Sequence, residues 1–509
     1  MTKSKYFTFA AALALAAGAT NGRAQNADAL VDALVKKGVL SSKEAQEIRT
    51  DMQKDAGASS AEKIKLSNSI TELKLYGDLR LRYEYENKDA QLDPFPVGVS
   101  QDGNDKDRSA SGTQRSRYRF RLRLNADFKL ADNFFGGVEL QTNAASDSGN
   151  QTFQDGFDDY PIFISKAFIG YNVTDWMTVI GGKMANPFYH NDGLVWDPDV
   201  NPTGVTEAIS FHKLFAASSA ESVGLSKDGK SMPVSKPAAS PWEATLVAGQ
   251  FLFDDNAEGA FDNDSATDAF LFETQLIASY KFAGGSKLTI APGWLTYING
   301  SVGGLQNNNA FQDRDDPADD ASGVKFADVS GATRNLNLLL LPGDYTFKVA
   351  GLKTRFYWDF SYNIEGRKRT EDIYNLVAAR TNGAGVVDDP DDFDTRHSHQ
   401  DNYAYLVGVQ FGENKKKGDW SILANWRQTG IGAVDPNLND SDYAGAELNT
   451  RGFKLGAAYN FTDFAVGAIT YMHAWNLRDD LAGGEATGGN AIADSNAIQV
   501  LQVDLSVKF

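Results

Sequence analysis

Arginine recurs at every second position in one segment of the chain, which places five guanidinium groups on one side of an extended strand. We call these residues the arginine ladder, and they are Arg115, Arg117, Arg119, Arg121 and Arg123. Alternate residues of a strand are about 6.8 Å apart, so an anion could pass from one guanidinium group to the next. Arginine also forms paired hydrogen bonds with carboxylates. The ladder therefore suits either the binding of anionic solutes or the formation of structural ion pairs.

Acidic residues occur in neighbouring segments and offer partners for the ladder. The strand predicted over residues 71–86 carries charged residues at alternating positions, and they include Asp78, Arg80, Arg82, Glu84 and Glu86. Glu139 lies on a later predicted strand. In one interpretation, four acids neutralise the ladder and hold adjacent strands together, namely Asp78, Glu84, Glu86 and Glu139. In the other, the arginines and Glu139 face passing solutes, and the sequence leaves both interpretations open.

A third group of candidate residues lies in a connection between two predicted strands, over residues 185–204. Its carboxylates are Asp192, Asp197 and Asp199, and Trp196 stands directly before Asp197. These acids could face the ladder across an opening, or the connection could be only a structural cap. Which role applies depends on how the fold places the ladder strand relative to residues 185–204.

The ladder lies on a segment that alternates between charged and apolar residues. The opposite face of residues 115–130 consists of Tyr118, Phe120, Leu122, Leu124, Ala126, Phe128 and Leu130. Strands of soluble proteins usually span about 5–6 residues, whereas a strand that crosses a bilayer needs about 9–11. An arginine that faced lipid near the midplane would cost about 2–4 kcal/mol. The ladder must therefore face water, and the apolar side must face lipid or a core.

Similar segments recur along the chain and predict about sixteen antiparallel strands. They lie near residues 72–87, 115–130, 134–143, 162–173, 176–184, 205–214, 243–253, 269–282, 287–298, 341–349, 353–363, 402–411, 419–428, 451–461, 464–475 and 496–509. Short turns alternate with long acidic loops, which is typical of an up-and-down transmembrane β-barrel. Residues 215–242 break this rule, because they are long where a short turn is due. They are either an insertion or a sign that the strand count is wrong there.

Composition excludes several classes of protein. The 509 residues include no Cys, so disulfide scaffolds, thiolate metal sites and cysteine nucleophiles are excluded. A formal net charge of −18 argues against nucleic acid as a partner. The mean hydropathy of −0.38 is too low for a polytopic helical membrane protein. A large all-β protein remains.

The N-terminal residues predict export. Lys3 and Lys5 precede an apolar run, and Ala24 occupies a small-residue position suited to cleavage by signal peptidase. Residues 1–24 are therefore predicted to be a signal peptide. Residues 25–70 are predicted to form a short periplasmic helical hairpin and a linker, and residues 71–509 an outer-membrane barrel.

Catalytic and metal-binding motifs are weak. His397 and His399 follow an acidic run in a long loop, where a solvated loop is a simpler interpretation than a metal site. His190, His212 and His473 are isolated in the sequence. We therefore expect no enzymatic activity, no metal and no cofactor.

The chain resembles the bacterial outer-membrane family labelled "putative porin". The most specific stretch is GGKMANPFYHNDGLVWDPDVNPTG at residues 181–204, and similar stretches are KKGVLSSKEA, LKLYGDLRLRYEYE, KKKGDWSILANW and the final strand. The resemblance covers most of the chain after the signal peptide. It implies a transmembrane barrel that conducts solutes passively, and it implies no particular substrate.

The resemblance also suggests how the candidate residues act. Residues 185–204 resemble the loop that folds into the lumen of general porins, so Asp192, Trp196, Asp197 and Asp199 become constriction residues. Opposed acidic and basic walls would orient dipolar solutes. The pore-lining candidates are Arg80, Arg82, Arg115, Arg117, Arg119, Arg121, Arg123 and Glu139. A porin that prefers anions is an alternative function, and a soluble or surface carbohydrate-binding β-protein is a weaker one.

The expected partners follow from the same resemblance. They are outer-membrane lipid, small hydrophilic solutes or ions, and the barrel-assembly machinery, which would recognise the terminal strand ending in Phe509. A homotrimer is expected from the resemblance alone, and no nucleic acid is expected.

Overall fold

The computed structural model describes residues 46, 67–90, 113–145, 147–153, 157, 159–219, 240–254, 269–298, 335–370, 401–446, 448–477 and 495–509. The chain divides into two compact units, Met1–Asn68 and Ser69–Phe509. In the first unit, Gln46 is helical. The predicted signal peptide and the rest of the predicted helical hairpin lie outside the described residues.

The second unit is a single antiparallel sheet of nineteen strand segments. The segments are β1 (Ile70–Ala90), β2 (Thr113–Leu130), β3 (Phe134–Thr142), β4 (Gln151–Thr152), β5 (Ile162–Thr174), β6 (Met177–Lys183), β7 (Thr203–Ser210), β8 (Trp242–Asp254), β9 (Ala269–Lys281), β10 (Lys287–Ile290), β11 (Gly293–Ile298), β12 (Asn337–Leu340), β13 (Gly343–Val349), β14 (Leu352–Asn363), β15 (Tyr403–Gly412), β16 (Trp420–Thr429), β17 (Thr450–Asn460), β18 (Ala465–Asn476) and β19 (Ser495–Lys508).

The sheet closes into a barrel of sixteen wall strands. Strand β1 pairs with β2 along one edge and with β19 along the other, so the sheet has no free edge. Segments β10 and β11 both pair with β9 and form one wall strand, and β12 and β13 likewise share the partner β14. The two-residue segment β4 pairs only with β2. The predicted all-β class and the strand number are therefore confirmed.

Burial alternates along the wall strands as the sequence pattern requires. On β1, Leu79 and Leu81 are 38% and 41% exposed on the outer face, whereas Arg82 and Glu84 are 5% and 2% exposed on the inner face. Successive side chains of a strand point to opposite faces, so charged residues line the interior while aliphatic residues cover the outside. Among the described residues, no helix is long and apolar enough to cross a membrane.

One irregular segment resolves a doubt left by the sequence. The strand predicted at residues 205–214 ends at Ser210, and helix α1 follows directly over Phe211–Ser219. Strand β7 pairs with β6 on one side and with β8 on the other, so no hairpin is missing there. The long segment before β8 is therefore an insertion and not an error in the strand count.

Two connections fold into the barrel. We call residues 184–202 the first inward loop and residues 430–449 the second inward loop. Their apolar side chains join inward positions of β8, β9, β11, β12, β14 and β15 in one buried cluster. Loop members of the cluster include Leu194, Val195, Trp196, Ile431 and Leu438. This side of the lumen is consequently packed like a domain core.

Candidate functional site

Asp192 fixes the first inward loop to the far wall of the barrel. Its carboxylate accepts a hydrogen bond from Lys454 Nζ on β17 at 2.7 Å and another from the amide of Asn425 on β16. Its backbone carbonyl accepts a hydrogen bond from Arg427. Burial raises the pKa of Asp192, but Lys454 and Arg427 outweigh it, and the pKa lies below its ordinary value. The carboxylate is therefore charged when it holds the loop.

A buried imidazole holds the adjacent part of the loop. His190 Nε2 lies 3.2 Å from Glu273 Oε1, and His190 Nδ1 lies 3.8 Å from Asp359 Oδ2. Trp196 Nε1 donates to Glu273 Oε2 at 2.8 Å. Burial opposes the charged form of His190, but the carboxylates of Glu273 and Asp359 raise its pKa to about 9. The imidazole is thus an imidazolium clamped between two acids, and the sequence-level view of His190 as isolated is wrong.

Asn191 adds a neutral anchor between these two charged ones. Its backbone N–H donates to Asp359 Oδ2 at 3.0 Å, and its side-chain amide donates to the carbonyls of Gly343 and Trp358 at 3.0 and 2.7 Å. The side-chain oxygen accepts a hydrogen bond from Arg355. Contacts to β9, β14, β16 and β17 therefore stretch the loop across the lumen.

The second inward loop packs directly on the first. The Asp440 N–H donates to the Gly193 carbonyl at 2.9 Å, and Ser441 donates to Asp197 Oδ2 from its N–H at 3.0 Å and from its hydroxyl at 3.2 Å. Gly193 has φ +73°, and a Cβ there would collide with the side chain of Asp440. Glycine is therefore required for the two loops to approach this closely.

The arginine ladder lies on the opposite wall and is largely paired with acids of β1. Arg119 Nη1 lies 3.4 Å from Glu84, and Arg117 forms an ion pair with the same carboxylate. Arg121 and Arg123 lie 3.1 and 2.8 Å from Asp78. Acids of neighbouring strands thus neutralise part of the ladder, which fits the structural interpretation for these contacts.

The remaining contacts of the arginines reach the two inward loops. Arg121 and Arg123 lie 3.3 and 3.7 Å from Asp199 of the first loop. Arg82 lies 2.9 Å from Asp442 of the second loop and 2.8 Å from Asp504 of β19. Acidic residues of both inward loops therefore face a basic wall.

Two cavities occupy the space between the ladder and the loops. The larger has a volume of about 460 Å³ and reaches Glu139 and Lys166 on the wall, and the smaller has about 280 Å³ and reaches Arg80 and Arg121. Both are lined by Arg123, Asp197, Pro198 and Asp199. The ion pairs of Asp199 with the ladder consequently stand where the two cavities meet.

Two acids at this place are poorly compensated. Burial and the nearby Asp440 carboxylate raise the pKa of Asp197 well above its ordinary value. Burial also raises the pKa of Asp440, although Lys454 and Arg427 act in the opposite direction. The two acids therefore lie close together in the contact between the loops, and Asp440 also lies 3.7 Å from Arg427.

Two other predicted site residues lie apart from the ion pairs of the ladder. Arg115 is exposed at one end of β2. Glu139 pairs with Lys166 at 3.0 Å and not with the ladder.

Sequence reasoning missed the second inward loop with its Asp440 and Asp442, because only the folded chain brings these acids to the ladder. In the described part of the chain, no group of three or more His, Cys, Asp or Glu residues could hold a metal ion.

Nearly the whole chain matches one known protein family. The family model described as "Putative porin" matches residues 11–509. The chain belongs to this porin family. Together with the closed sixteen-strand sheet, membership shows a porin-like barrel channel, and it implies the outer membrane as the location of this porin. No curated protein matches the sequence.

Several solved porin structures are similar to this chain at low identity. The protein is 10% identical to OprB of Pseudomonas putida, with 85% of this chain and 94% of that chain covered and a TM-score of 0.40. It is 11% identical to OmpF of Salmonella typhi, solved with daunomycin, with coverage of 88% and 100% and a TM-score of 0.39. A mutant porin of Rhodopseudomonas blastica is 11% identical, with coverage of 86% and 100% and a TM-score of 0.34.

Proposed function

We propose that this porin lets small hydrophilic solutes and ions diffuse passively across the outer membrane. The observation that carries the proposal is the pair of cavities that meet at Asp199, between the arginine ladder and the two inward loops. Polar and charged side chains line this space, whereas the opposite side of the lumen is packed with apolar residues. Solutes would therefore pass along the wall formed by β1, β2 and β3.

The constriction would combine the ladder with both inward loops. Asp199 faces Arg121 and Arg123, and Asp442 faces Arg82, so acids and bases oppose one another across the path. Oppositely charged walls create a transverse field that favours dipolar solutes over apolar ones. In this proposal Trp196 and Asp192 hold the loop in place, and Asp197 and Asp199 face the path.

A preference for anions is the second candidate, and the balance of paired charges favours only a weak one. Five arginines form ion pairs with five acids; the arginines are Arg82, Arg117, Arg119, Arg121 and Arg123, and the acids are Asp78, Glu84, Asp199, Asp442 and Asp504. The sixth arginine of this group, Arg80, forms no ion pair with a described acid. One positive charge is left over in this group. A strongly anion-selective channel would need more unpaired arginines than that.

Export and assembly complete the proposal. The chain would be exported with a cleaved signal peptide of residues 1–24, and residues 25–70 would lie in the periplasm. Phe509 closes the barrel seam, since its N–H and carbonyl bond to Gly77 at 3.0 and 2.8 Å. A terminal strand placed at the seam is accessible to an assembly machinery before closure. Outer-membrane lipid would surround the barrel, and we expect a homotrimer.

Conductance in planar bilayers tests the function. The full chain, folded in detergent and shown to be a barrel by its heat-dependent gel mobility, should produce discrete current steps in KCl. A reversal potential near zero in a salt gradient would fit weak selectivity, and a large anion-selective potential would favour the second candidate. A correctly folded barrel that gives no current and admits no glycerol into vesicles would refute passive diffusion.

A further inference from the structure

Arg80 is the surplus cation of the arginine cluster. In the register of β1 and β2, Arg80 lies opposite Arg121, and Arg82 lies opposite Arg119, so four guanidinium groups form a two-by-two block on the inner wall. Arg82 takes Asp504 and Asp442 as partners, and Arg121 takes Asp78 and Asp199. No described acid forms an ion pair with Arg80.

The contacts of Arg80 leave its charge uncompensated. One guanidinium nitrogen donates to the neutral side chain of Asn150 at 2.5 Å. Its buried Nε has no hydrogen-bond partner among the described residues. A buried arginine donor without a partner is costly, since the group has lost its hydration and gained nothing in exchange. Arg80 lines the 280 Å³ cavity, so an anionic group of a solute there can approach its guanidinium group.

Asp197 is an acid without a cationic partner among the described residues, and it lines the same cavity. Its carboxylate accepts hydrogen bonds from the N–H groups of Asp199 and Ser441 and from the Ser441 hydroxyl, all of them neutral donors. In the part of the chain that the structure describes, it forms no ion pair with a lysine, arginine or histidine. The raised pKa of Asp197 agrees with a buried acid that lacks a cation. Asp197 and Arg80 both line the cavity, although neither is the partner of the other.

The charges around the cavity favour a ligand that bears both signs. Five aspartates line it against three arginines, namely Asp147, Asp197, Asp199, Asp440 and Asp442 against Arg80, Arg121 and Arg123. A simple anion on Arg80 would approach several carboxylates and be repelled. A simple cation on Asp197 would leave Arg80 without an anionic partner. A small zwitterion places each charge against the group that lacks a partner.

We propose that the 280 Å³ cavity is a binding site for small zwitterions of the α-amino acid class, whose carboxylate binds Arg80 and whose ammonium group binds Asp197. The inference rests on the proposed function, because the cavity lies on the path that solutes would take. It deepens that function by naming a solute class and a saturable step. A charge-assisted hydrogen bond at each end supplies the preference over singly charged analogues.

Three solutes with one carbon skeleton test the proposal. L-Alanine carries both charges, L-lactate replaces the ammonium group by a hydroxyl, and L-alaninol replaces the carboxylate by an alcohol. Vesicles that contain the full-length protein are supplied with trace labelled L-alanine, and its initial uptake is measured against rising concentrations of each unlabelled compound. We expect L-alanine to compete at about tenfold lower concentration than either analogue, which is what one charge-assisted hydrogen bond supplies.

Two charge-removing variants locate the site. Arg80→Gln and Asp197→Asn should each abolish the saturation of L-alanine uptake, and glycerol uptake by the same vesicles reports whether each channel is open. The matched controls are Lys348→Gln, at an exposed lysine outside both cavities, and Asp159→Asn, at an exposed acid, and both should leave the competition unchanged. Heat-dependent gel mobility checks that each variant has folded.

The outcomes separate the two proposals. Entry of neither glycerol nor alanine would refute the porin function itself. Entry of glycerol with alanine uptake that does not saturate, or with lactate competing as well as alanine, would overturn the zwitterion site and leave the porin function standing. The competition in the unaltered protein decides this even if a variant does not fold. Loss of saturation in the control variants would likewise count against Arg80 and Asp197.

Discussion

The buried ion pair of Asp192 with Lys454 should control the docking of the first inward loop. The side chains are 22% and 16% exposed and lie 2.7 Å apart. Removing one partner of a buried pair costs about 3–5 kcal/mol, because the other charge remains buried. Asp440 also lies close to Lys454 and offsets part of the loss. We therefore expect Asp192→Asn to weaken loop docking by about 3 kcal/mol, at the lower end of that range.

Cysteine labelling can measure this change because the chain contains no cysteine. Val195 is 1% exposed in the first inward loop, so Val195→Cys places a small thiol that reacts only when the loop opens. When reclosing is faster than labelling, the rate follows the open population. A loss of about 3 kcal/mol then accelerates labelling by about a hundredfold. The background for every comparison is the Val195→Cys protein.

A double-mutant cycle distinguishes the ion pair from general damage. Lys454→Met removes the stranded charge and keeps the volume, and a buried pair replaced by such groups is often neutral in stability. Adding Lys454→Met to Asp192→Asn should therefore bring labelling back to within about tenfold of the background rate. The exposed pair of Lys353 with Glu413 is the control, since its disruption should cost at most about 1 kcal/mol. Labelling of Asp192→Asn at the background rate, or no recovery in the double variant, would refute the reasoning.

Three further predictions concern the same loops. The pKa of His190 is raised to about 9, so its positive charge supports loop docking fully below the ordinary value of 6.5. This support is lost as pH rises through about 9. Single-channel conductance should therefore change over that pH range in the unaltered protein and not in His190→Gln. Asp199→Asn should shift the reversal potential towards anions and Arg121→Gln towards cations, because each removes one charge from the place where the two cavities meet. Equal potentials in both variants would contradict a constriction at this place. Gly193→Ala should separate the loops by strain of about 1–3 kcal/mol and accelerate labelling of an Ala433→Cys thiol by about tenfold or more, and unchanged protection would show that the second loop docks independently.

Much of the barrel could be predicted because its strands obey local rules. The alternation in residues 115–130 gives both the strand and the face that points inward, since a lipid-facing arginine is too costly. The break before β8 could not be interpreted, because nothing in residues 205–214 marks the change from strand to helix α1 at Phe211. Short apolar segments fit both structures, and only pairing with β6 and β8 decides the boundary.

The candidate site was harder to predict, because its contacts join residues that are distant in sequence. Arg82 and Asp442 are 360 positions apart. The chain contains many other acids and bases, and nothing local marks these two as partners. Glu139 was a reasonable partner for the ladder, yet Lys166 lies closer on the adjacent strand β5. Register decides such choices, and register between strands follows from turns and packing rather than from charge.

One feature of the sequence could have indicated that part of the chain covers the inner wall. A water-filled lumen requires polar residues at inward positions, but Leu271, Leu338 and Leu406 point inward from β9, β12 and β15 and are at most 1% exposed. Burying each leucine contributes about 1.5–3 kcal/mol, which would be lost if the lumen were open to water at these strands. Runs with apolar residues on both faces, such as residues 338–341, therefore imply that a segment of the chain covers the inner wall. Since the cover occupies the side of the barrel away from the arginine ladder, the proposed path for water and solutes would run along the charged side and be eccentric.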